Sequence, residues 1–408
     1  MKRTNALTRI WRANEFSGLV LTTVVLVVLL VGSASLFIDS FLAVRPGDAP
    51  KYLQFARAPL SSAAAPSAPF KFRALTPFLV WLLPTSRVVG FAIVNLSALV
   101  ATGVAFYWYL RELGFAVRKS VGGLVLFVVS PAIAYAITNV VLVDALGYLF
   151  LVCALWAAAR DDWFLFAIVL AVGVTARQTV LFALPVYLLY RLQIAGFRGA
   201  VRAVAAALPA SAVLLGLRLF YGFSNDTIAA IVARGVEAQL HKLELSIFYI
   251  PYEIYSAFGT LWLLALLYGY RHVVAAPHSD SRERRFNDGF LVAGLLVAPF
   301  AFLQPLVARD IARVLFILFP VVIPTALAVI ETLARHTAYS LIALAGVAAI
   351  AGVIGAVLVL PALAGNVASV SLPVLQFLAL VGAVNELVVI GIALDLKLTE
   401  KVSEIRRG

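Results

Sequence analysis

Long apolar segments recur along the whole chain, and short polar connections separate them. A helix needs about 20 apolar residues to cross the hydrocarbon core of a bilayer, and this length gives about twelve candidate spans. The pattern therefore predicts an all-α polytopic membrane protein. We expect the protein to form a single transmembrane domain over residues 1–408. The candidate spans are 16–38, 87–110, 121–138, 142–159, 163–176, 178–191, 202–220, 248–270, 288–304, 313–331, 339–360 and 373–394.

The fifth and sixth candidate spans differ from the others because both are short. The polar sequence TARQT lies between them and interrupts the apolar pattern. We therefore predict a broken pair of helices that need not cross the membrane completely.

Two connections are long enough to carry structure of their own. The first, residues 39–86, contains DAPKYLQFA, which predicts a juxtamembrane helix with one apolar face. The second, residues 221–252, has apolar side chains at helical spacing and predicts an amphipathic helix along the membrane surface. The apolar positions of this second loop are Ile228, Ile231, Val232, Val236 and Leu240.

Composition supports the membrane interpretation. The chain is 63% hydrophobic and 13% charged, with a mean hydropathy of +1.01, whereas a soluble domain has roughly 25% charged residues. Most Lys and Arg residues fall on alternate connections, which predicts that the two termini are cytoplasmic and the two long loops lie outside. The basic N-terminal sequence MKRTNALTRIWR precedes a first span that we expect to be retained rather than cleaved. The net charge of +12 is therefore explained by membrane orientation, and the sequence does not indicate nucleic-acid binding.

Metal and disulfide chemistry have little support. Cys153 is the single cysteine, and the four histidines show no paired spacing. Asp39 with Asp48 is only a weak candidate pair of ligands, so we predict no metal site. No cofactor is required, although a divalent cation would be compatible with the sequence.

Ionisable residues from separate parts of the chain are predicted to lie at one depth near the outer face: Asp48, Asp144, Arg177 and Arg313. Such groups are costly at membrane depth unless they pair or line a polar cavity. Their convergence therefore suggests a single cavity.

Each of these residues has a structural alternative. Asp48 is either a catalytic base or the cap of the helix that follows it. Asp144 is either a pocket residue or a carboxylate that caps or pairs at the end of a span. Arg177 and Arg313 either bind a ligand or pair with Asp144 and Asp310.

The order of several short motifs resembles the integral-membrane glycosyltransferases of the GT-C superfamily, most closely the compact bacterial branches without a soluble domain. The motifs are GDAPKYLQFA, PFKFRALTP, VVLVDALGYL, TARQTVLFALP and RDIARVLFILFP. The resemblance implies a GT-C-like bundle in the bacterial inner membrane that transfers a sugar from a polyprenyl-phosphate carrier. The acceptor would be a lipid, a glycan or a protein at the outer face, and transfer would invert the anomeric carbon.

The resemblance also assigns roles to individual residues. Asp48 matches the general base in the first outer loop, and Arg73, Arg177 and Arg313 match positions that hold the lipid phosphate, to which we add Lys51. Gln178 stands where the family more often has an acidic residue, so no charged role is expected there. The wider pocket is predicted to include Asp39, Tyr52, Asp144, Gln178 and Asp310.

The chemistry of the donor agrees with a single catalytic acid. A glycosidase needs two carboxylates because one must protonate the leaving alcohol. A lipid phosphate already leaves readily, so one base and several cations are sufficient. Arginine suits the second role because its planar guanidinium stays charged and can contact two phosphate oxygens.

A secondary transporter or lipid flippase is the main alternative. Twelve spans with intramembrane charges suit that class, and Glu386 in the last span would be its key residue. Transporters usually contain repeated halves with binding groups near the midplane. Here the halves are dissimilar and most charges lie at outer ends, so we favour the transferase. A noncatalytic membrane scaffold is a third hypothesis.

Overall fold

The computed structural model describes only part of the chain. Asp39, Asp310, Glu386 and the predicted spans at 339–360 and 373–394 lie outside the described residues, as does almost all of 16–38. The described residues are Leu19, 48–63, 65–68, 70–128, 130, 133, 136–137, 139–223, 228–245, 254, 257–258, 261–270, 288–302 and 311–336.

The described part of the chain is helical and contains no strand. This confirms the predicted all-helical class; the number of membrane spans stays a prediction. The α-helices are α1 (Ala49–Phe55), α2 (Leu75–Leu82), α3 (Arg87–Glu112), α4 (Val117–Val128), α5 (Asp144–Ala159), α6 (Trp163–Ala176), α7 (Ala183–Tyr221), α8 (Ile228–Leu245), α9 (Leu261–Gly269), α10 (Asp288–Ala301), α11 (Ile311–Leu315) and α12 (Phe319–His336).

The chain divides into two compact units. The first comprises Met1–Val128, Ala136–Ala183 and Val204–Phe223, and the second comprises Val129–Tyr135, Leu184–Ala203 and Ser224–Gly408. The predicted sites in the first long loop and around TARQT belong to the first unit. Arg313 belongs to the second.

Helices α3, α5 and α6 form the core of the first unit, where α3 packs against α5 and α5 packs against α6. Helix α3 begins after Ser86, whose hydroxyl accepts a hydrogen bond from the Val89 amide. Gly90 lets α2 approach closely, because a Cβ at that position would lie 2.9 Å from Val80 Cγ1. Helix α2 therefore packs directly against the start of α3.

The contacts at the two ends of these helices fix their relative directions. Asn95, near the start of α3, donates to the carbonyls of Val140 and Leu142, just before α5 begins. Glu112 and Arg160, which lie at the far ends of α3 and α5, approach to 4.0 Å. Helices α3 and α5 therefore run in the same direction. Helix α6 runs in the opposite direction to α5, because Arg177 at its end contacts Asp144 at the start of α5.

Two described helical segments are long and apolar enough to cross a membrane: Arg87–Glu112 and the run Gln178–Tyr221. The second run includes the predicted sixth and seventh spans. Its backbone departs from helical geometry at Gly196, where φ is 57° and ψ is −145°, so it consists of two helices joined at a glycine. A positive φ of this kind is easily adopted only without a Cβ.

The later half of α7 exposes much of its apolar surface. Phe197, Leu208 and Leu219 are 81%, 64% and 68% exposed, while the buried side chains on this half are mainly alanines. Exposed apolar surface on this scale is typical of regions that contact a membrane or a partner.

The second unit is built around α12, which packs against α9 and α10. A Cβ at Gly294 would lie 2.8 Å from Val321 Cγ2, so this glycine allows α10 and α12 to approach closely. At the facing ends of α9 and α10, the Tyr268 hydroxyl donates to Asp288 Oδ1 over 2.5 Å. This contact holds together the end of α9 and the start of α10.

Candidate functional site

The predicted juxtamembrane helix in the first long loop is present as α1. Asp48 is its N-cap residue, and the Asp48 carbonyl accepts hydrogen bonds from the amides of Lys51 and Tyr52. The half-buried side chain of Asp48 makes no capping hydrogen bond. The capping alternative therefore does not account for this carboxylate, which shares a helical face with Lys51 and Tyr52.

Phe70 organises the cations of this loop. Lys51 Nζ lies 4.1 Å from the centre of the Phe70 ring, and the Arg73 guanidinium carbon lies 5.7 Å from it. Tyr52 meets the same ring edge to face at 5.6 Å. Two cations beside one aromatic ring gain stabilisation from the ring quadrupole, about 0.5–2 kcal/mol each.

A hydrogen bond fixes Arg73 more firmly. Its Nη1 donates to the Tyr52 hydroxyl over 2.8 Å, and Tyr52 is completely buried. This contact links α1 to the segment just before α2. We name the cluster of Asp48, Lys51, Tyr52, Phe70 and Arg73 the loop-one cluster.

The loop is anchored to the end of α7 by Lys71. Its Nζ donates to the carbonyls of Tyr221 and Phe223 at 3.1 and 3.4 Å. These carbonyls lie at the C-terminal end of the helix, where a cation is favoured. Gly222 between them has φ of 82°, so the chain leaves the helix in a left-handed conformation.

Tyr221 adds a second anchor. Its hydroxyl donates to the Pro59 carbonyl over 2.5 Å, and its ring meets Phe55 edge to face at 5.6 Å. The end of α7 therefore holds both α1 and the segment that follows it. These contacts fix the position of the first long loop against the end of α7.

Asp144 and Arg177 form a buried ion pair in the same unit. Arg177 Nη1 donates to Asp144 Oδ1, and their side chains are 2% and 4% exposed. Asp144 is in the first turn of α5, and Arg177 follows the last residue of α6. Of the two alternatives for Asp144 and Arg177, the structure therefore contains the ion pair between them.

The break predicted at TARQT lies at Arg177. Its backbone is extended, with φ of −161° and ψ of 130°, between the end of α6 and a 3₁₀ helix at Gln178–Phe182. With 14 residues, α6 is about 21 Å long at 1.5 Å per residue, shorter than a bilayer core of about 30 Å. The half-buried Gln178 opens the 3₁₀ helix, directly after the ion pair.

Gly147 makes room for the Arg177 side chain. A Cβ at Gly147 would lie 2.9 Å from Arg177 Cβ and 3.1 Å from Arg177 Cδ. The glycine stands one turn after Asp144 on the same helix. The ion pair therefore depends on the absence of a side chain at this position.

We expect Gly147→Ala to destabilise the protein by about 1–3 kcal/mol, because the added methyl group displaces Arg177. Thermal unfolding of the purified protein measures the effect. Gly122→Ala is the matched control, since a Cβ there meets nothing within 4 Å, and it should be neutral or stabilising. Equal stability of the two variants would show that Arg177 moves aside without cost.

The predicted site residues fall into three groups. Asp48, Lys51, Tyr52 and Arg73 come together in the loop-one cluster. Asp144, Arg177 and Gln178 lie at the break between α6 and α7. Arg313 is in α11 of the second unit, where its side chain is not described, and Asp39 and Asp310 lie outside the described residues.

Several residues of the site were not identified from the sequence: Phe70, Lys71, Asn95 and Tyr221. Phe70 and Lys71 belong to the motif PFKFRALTP; Lys71 was noticed as one of the charges of this loop, but only Arg73 of the motif was assigned to the site. Asn95 could have been noticed as an amide within an apolar span, since buried polar groups need partners. Tyr221 carried no local signal for its role, because its hydroxyl bonds to Pro59, which lies 162 positions earlier in the chain.

Among the described residues, no three His, Cys, Asp or Glu side chains are grouped as a metal site would require. The chemistry these residues offer is that of one carboxylate and several cations, which suits an anionic ligand. Comparison of the chain with protein families, curated proteins and solved structures finds no match.

Proposed function

We propose that this protein is a membrane glycosyltransferase that moves a sugar from a polyprenyl-phosphate carrier to an acceptor at the extracytoplasmic face. The observation that carries the proposal is the loop-one cluster, in which Lys51, one helical turn after Asp48, and Arg73 both lie beside the Phe70 ring. In such a cluster the carboxylate can accept the proton of the acceptor hydroxyl, and the two cations can bind the departing phosphate.

The apolar surface of α7 supports a lipid-linked substrate. The end of this helix contacts the first long loop through Lys71 and Tyr221, and its later half exposes large apolar side chains. A polyprenyl chain lying along that surface would bring its phosphate to the same end. The arrangement therefore suits a donor that is drawn from the membrane lipids.

The reaction is a single displacement. The Asp48 carboxylate takes the proton of the acceptor hydroxyl as its oxygen attacks the anomeric carbon. The bond from that carbon to the phosphate oxygen breaks, and its electron pair leaves with the polyprenyl phosphate. Lys51 and Arg73 stabilise the charge on that phosphate. Attack from the face opposite the leaving group inverts the anomeric carbon.

We expect Arg73→Ala to raise the KM for the lipid donor about 10- to 100-fold and leave the KM for the acceptor nearly unchanged, since a hydrogen bond to a charged group contributes about 1.5–3 kcal/mol. The assay follows a sugar-labelled polyprenyl-phosphate hexose with the full chain in proteoliposomes. Arg57→Ala is the control, because Arg57 is an exposed arginine of the same loop.

The same proteoliposomes test the transporter or flippase alternative. Those classes would move the labelled donor across the bilayer without releasing polyprenyl phosphate. A transferase releases polyprenyl phosphate in proportion to the labelled product. Movement of unconverted donor, with no released phosphate for any acceptor offered, would contradict the proposed function.

A further inference from the structure

Thr76 is a buried threonine whose hydroxyl makes no hydrogen bond. The residue is 0% exposed, and its Oγ1 has no partner among the described residues. Other buried threonines in helices of this chain behave differently. Thr102 donates to the Ala98 carbonyl at 2.6 Å, and Thr325 donates to the carbonyls of Val321 and Val322. Those two threonines lie inside their helices and bond to the preceding turn, whereas Thr76 is in the first turn of α2 and its hydroxyl makes no hydrogen bond.

A second polar atom without a partner belongs to Arg73, three residues earlier in the chain and just before α2. Arg73 Nε is buried and makes no hydrogen bond within the described structure. Its Nη1 is already held by the Tyr52 hydroxyl at 2.8 Å, so the guanidinium is fixed in orientation. Buried polar groups are nearly always satisfied by protein, water or ligand, so each of these two atoms calls for a partner that the described residues do not supply.

The surrounding groups define the charge of that partner. Arg73 Nε can only donate, and the Thr76 hydroxyl is able to donate. Thr76 is also in the first turn of α2, where backbone amides lack intrahelical acceptors. Lys51 adds a second positive charge beside Phe70. Donors and cations at these positions favour an anion with several acceptor oxygens, such as a phosphate.

We propose that Thr76 Oγ1 and Arg73 Nε bind one oxygen of a lipid monophosphate, the leaving group of the proposed reaction. This inference rests on the proposed function for the identity of the lipid. A phosphodiester donor carries one negative charge, whereas the released monoester carries up to two. Two cations and a free hydroxyl therefore bind the released phosphate more tightly than the donor, which stabilises charge as it develops on the leaving oxygen.

The test measures binding without sugar transfer. The full chain, purified in detergent, is titrated with decaprenyl phosphate, with inorganic phosphate and with decaprenol, and both Kd and thermal unfolding are recorded. Thr76→Val should weaken decaprenyl phosphate binding about tenfold, as loss of one hydrogen bond to a charged ligand predicts. The unliganded variant should unfold at the same or a higher temperature, because an unpaired buried hydroxyl has been removed.

Three variants make the result specific. Thr76→Ser restores the hydroxyl and should recover the affinity of the wild type. Arg73→Lys keeps the charge but removes Nε, so it should weaken binding in the wild type and much less in a Thr76→Val background. Thr102→Val, which removes a buried hydroxyl of α3, should leave the Kd unchanged. If Thr76→Val does not fold, the Kd for decaprenyl phosphate is compared between Arg73→Lys and Thr102→Val instead.

Unchanged affinity in both Thr76→Val and Arg73→Lys would overturn the inference and indicate that water fills the site. Inorganic phosphate binding as tightly as decaprenyl phosphate would retain the anion site but overturn the lipid source. Binding that depends on Thr76, in a protein with no transferase activity, would leave this inference standing and contradict the proposed function. Sugar transfer that is insensitive to Thr76→Val would contradict this inference and leave the proposed function standing.

Discussion

Replacing Asp48 with asparagine is expected to lower the rate of sugar transfer by roughly 10²–10⁴-fold, the usual contribution of a general base. Asparagine keeps the size of the side chain but cannot take the acceptor proton. The folded yield should be unchanged, because the Asp48 side chain makes no capping hydrogen bond and its carbonyl still starts α1. The measurement is kcat for labelled hexose transfer in proteoliposomes.

Asp162→Asn provides the matched control for Asp48→Asn. Asp162 caps α6 by accepting a hydrogen bond from the Leu165 amide at 3.0 Å, and asparagine caps a helix equally well. This variant should retain both activity and stability. Full turnover by the Asp48→Asn enzyme, with Asp162→Asn as reference, would rule out Asp48 as the base.

Removing one partner of the Asp144–Arg177 pair is expected to destabilise the protein by about 3–5 kcal/mol, because it leaves an uncompensated buried charge. Arg177→Met should show the full loss. The double variant Asp144→Leu with Arg177→Met should recover most of it, since a buried ion pair replaced by apolar residues is often neutral. Thermal unfolding of the single and double variants in the same detergent gives the comparison.

The exposed pair Glu112–Arg160 is the control for burial. Its side chains are 39% and 47% exposed, so Arg160→Met should change stability by less than about 1 kcal/mol. Comparable losses of stability for Arg160→Met and Arg177→Met would show that burial of the Asp144–Arg177 pair contributes little.

The double variant also separates two roles of Arg177. If Arg177 binds the donor phosphate, the stable double variant should show a higher donor KM than the wild type. An unchanged KM would limit Arg177 to holding α5 and α6 together.

Helix bounds followed from local pattern wherever apolar runs ended in strong polar signals. The predicted segment 163–176 coincides with α6, and the predicted break at TARQT lies at Arg177. The prediction of a helix in DAPKYLQFA is met by α1. The amphipathic pattern after residue 228 is met by α8, from Ile228 to Leu245. These helices all depend on contacts between residues a few positions apart, and the periodicity of apolar residues in the sequence reflects such contacts.

Other features had no local signal. Helix α2 was not separated from the first long loop, because its eight residues are too few to establish a period. The predicted connection around residues 191–202 is reduced to a kink at Gly196, where two helices join within the range of α7. A single glycine can break a helix or be carried within one, and the choice depends on packing.

The candidate site was predicted in part. Charge at membrane depth was enough to select Asp48, Asp144 and Arg177, because such residues are rare in apolar chains. Which cation meets which carboxylate depends on tertiary packing. The clustering of Lys51 and Arg73 around Phe70, and the unpaired hydroxyl of Thr76, are visible only in three dimensions.

The contact of Lys71 with the end of α7 bears on the order in which the protein is assembled. The carbonyl of Tyr221 lies 150 residues beyond Lys71 in the chain. At a synthesis rate of about 5–20 residues per second, the ribosome needs roughly 8–30 s to add that length. The first loop therefore emerges long before its anchor exists, and a nascent chain that stops short of Tyr221 holds the acidic residue and its cations without the helix end that secures them.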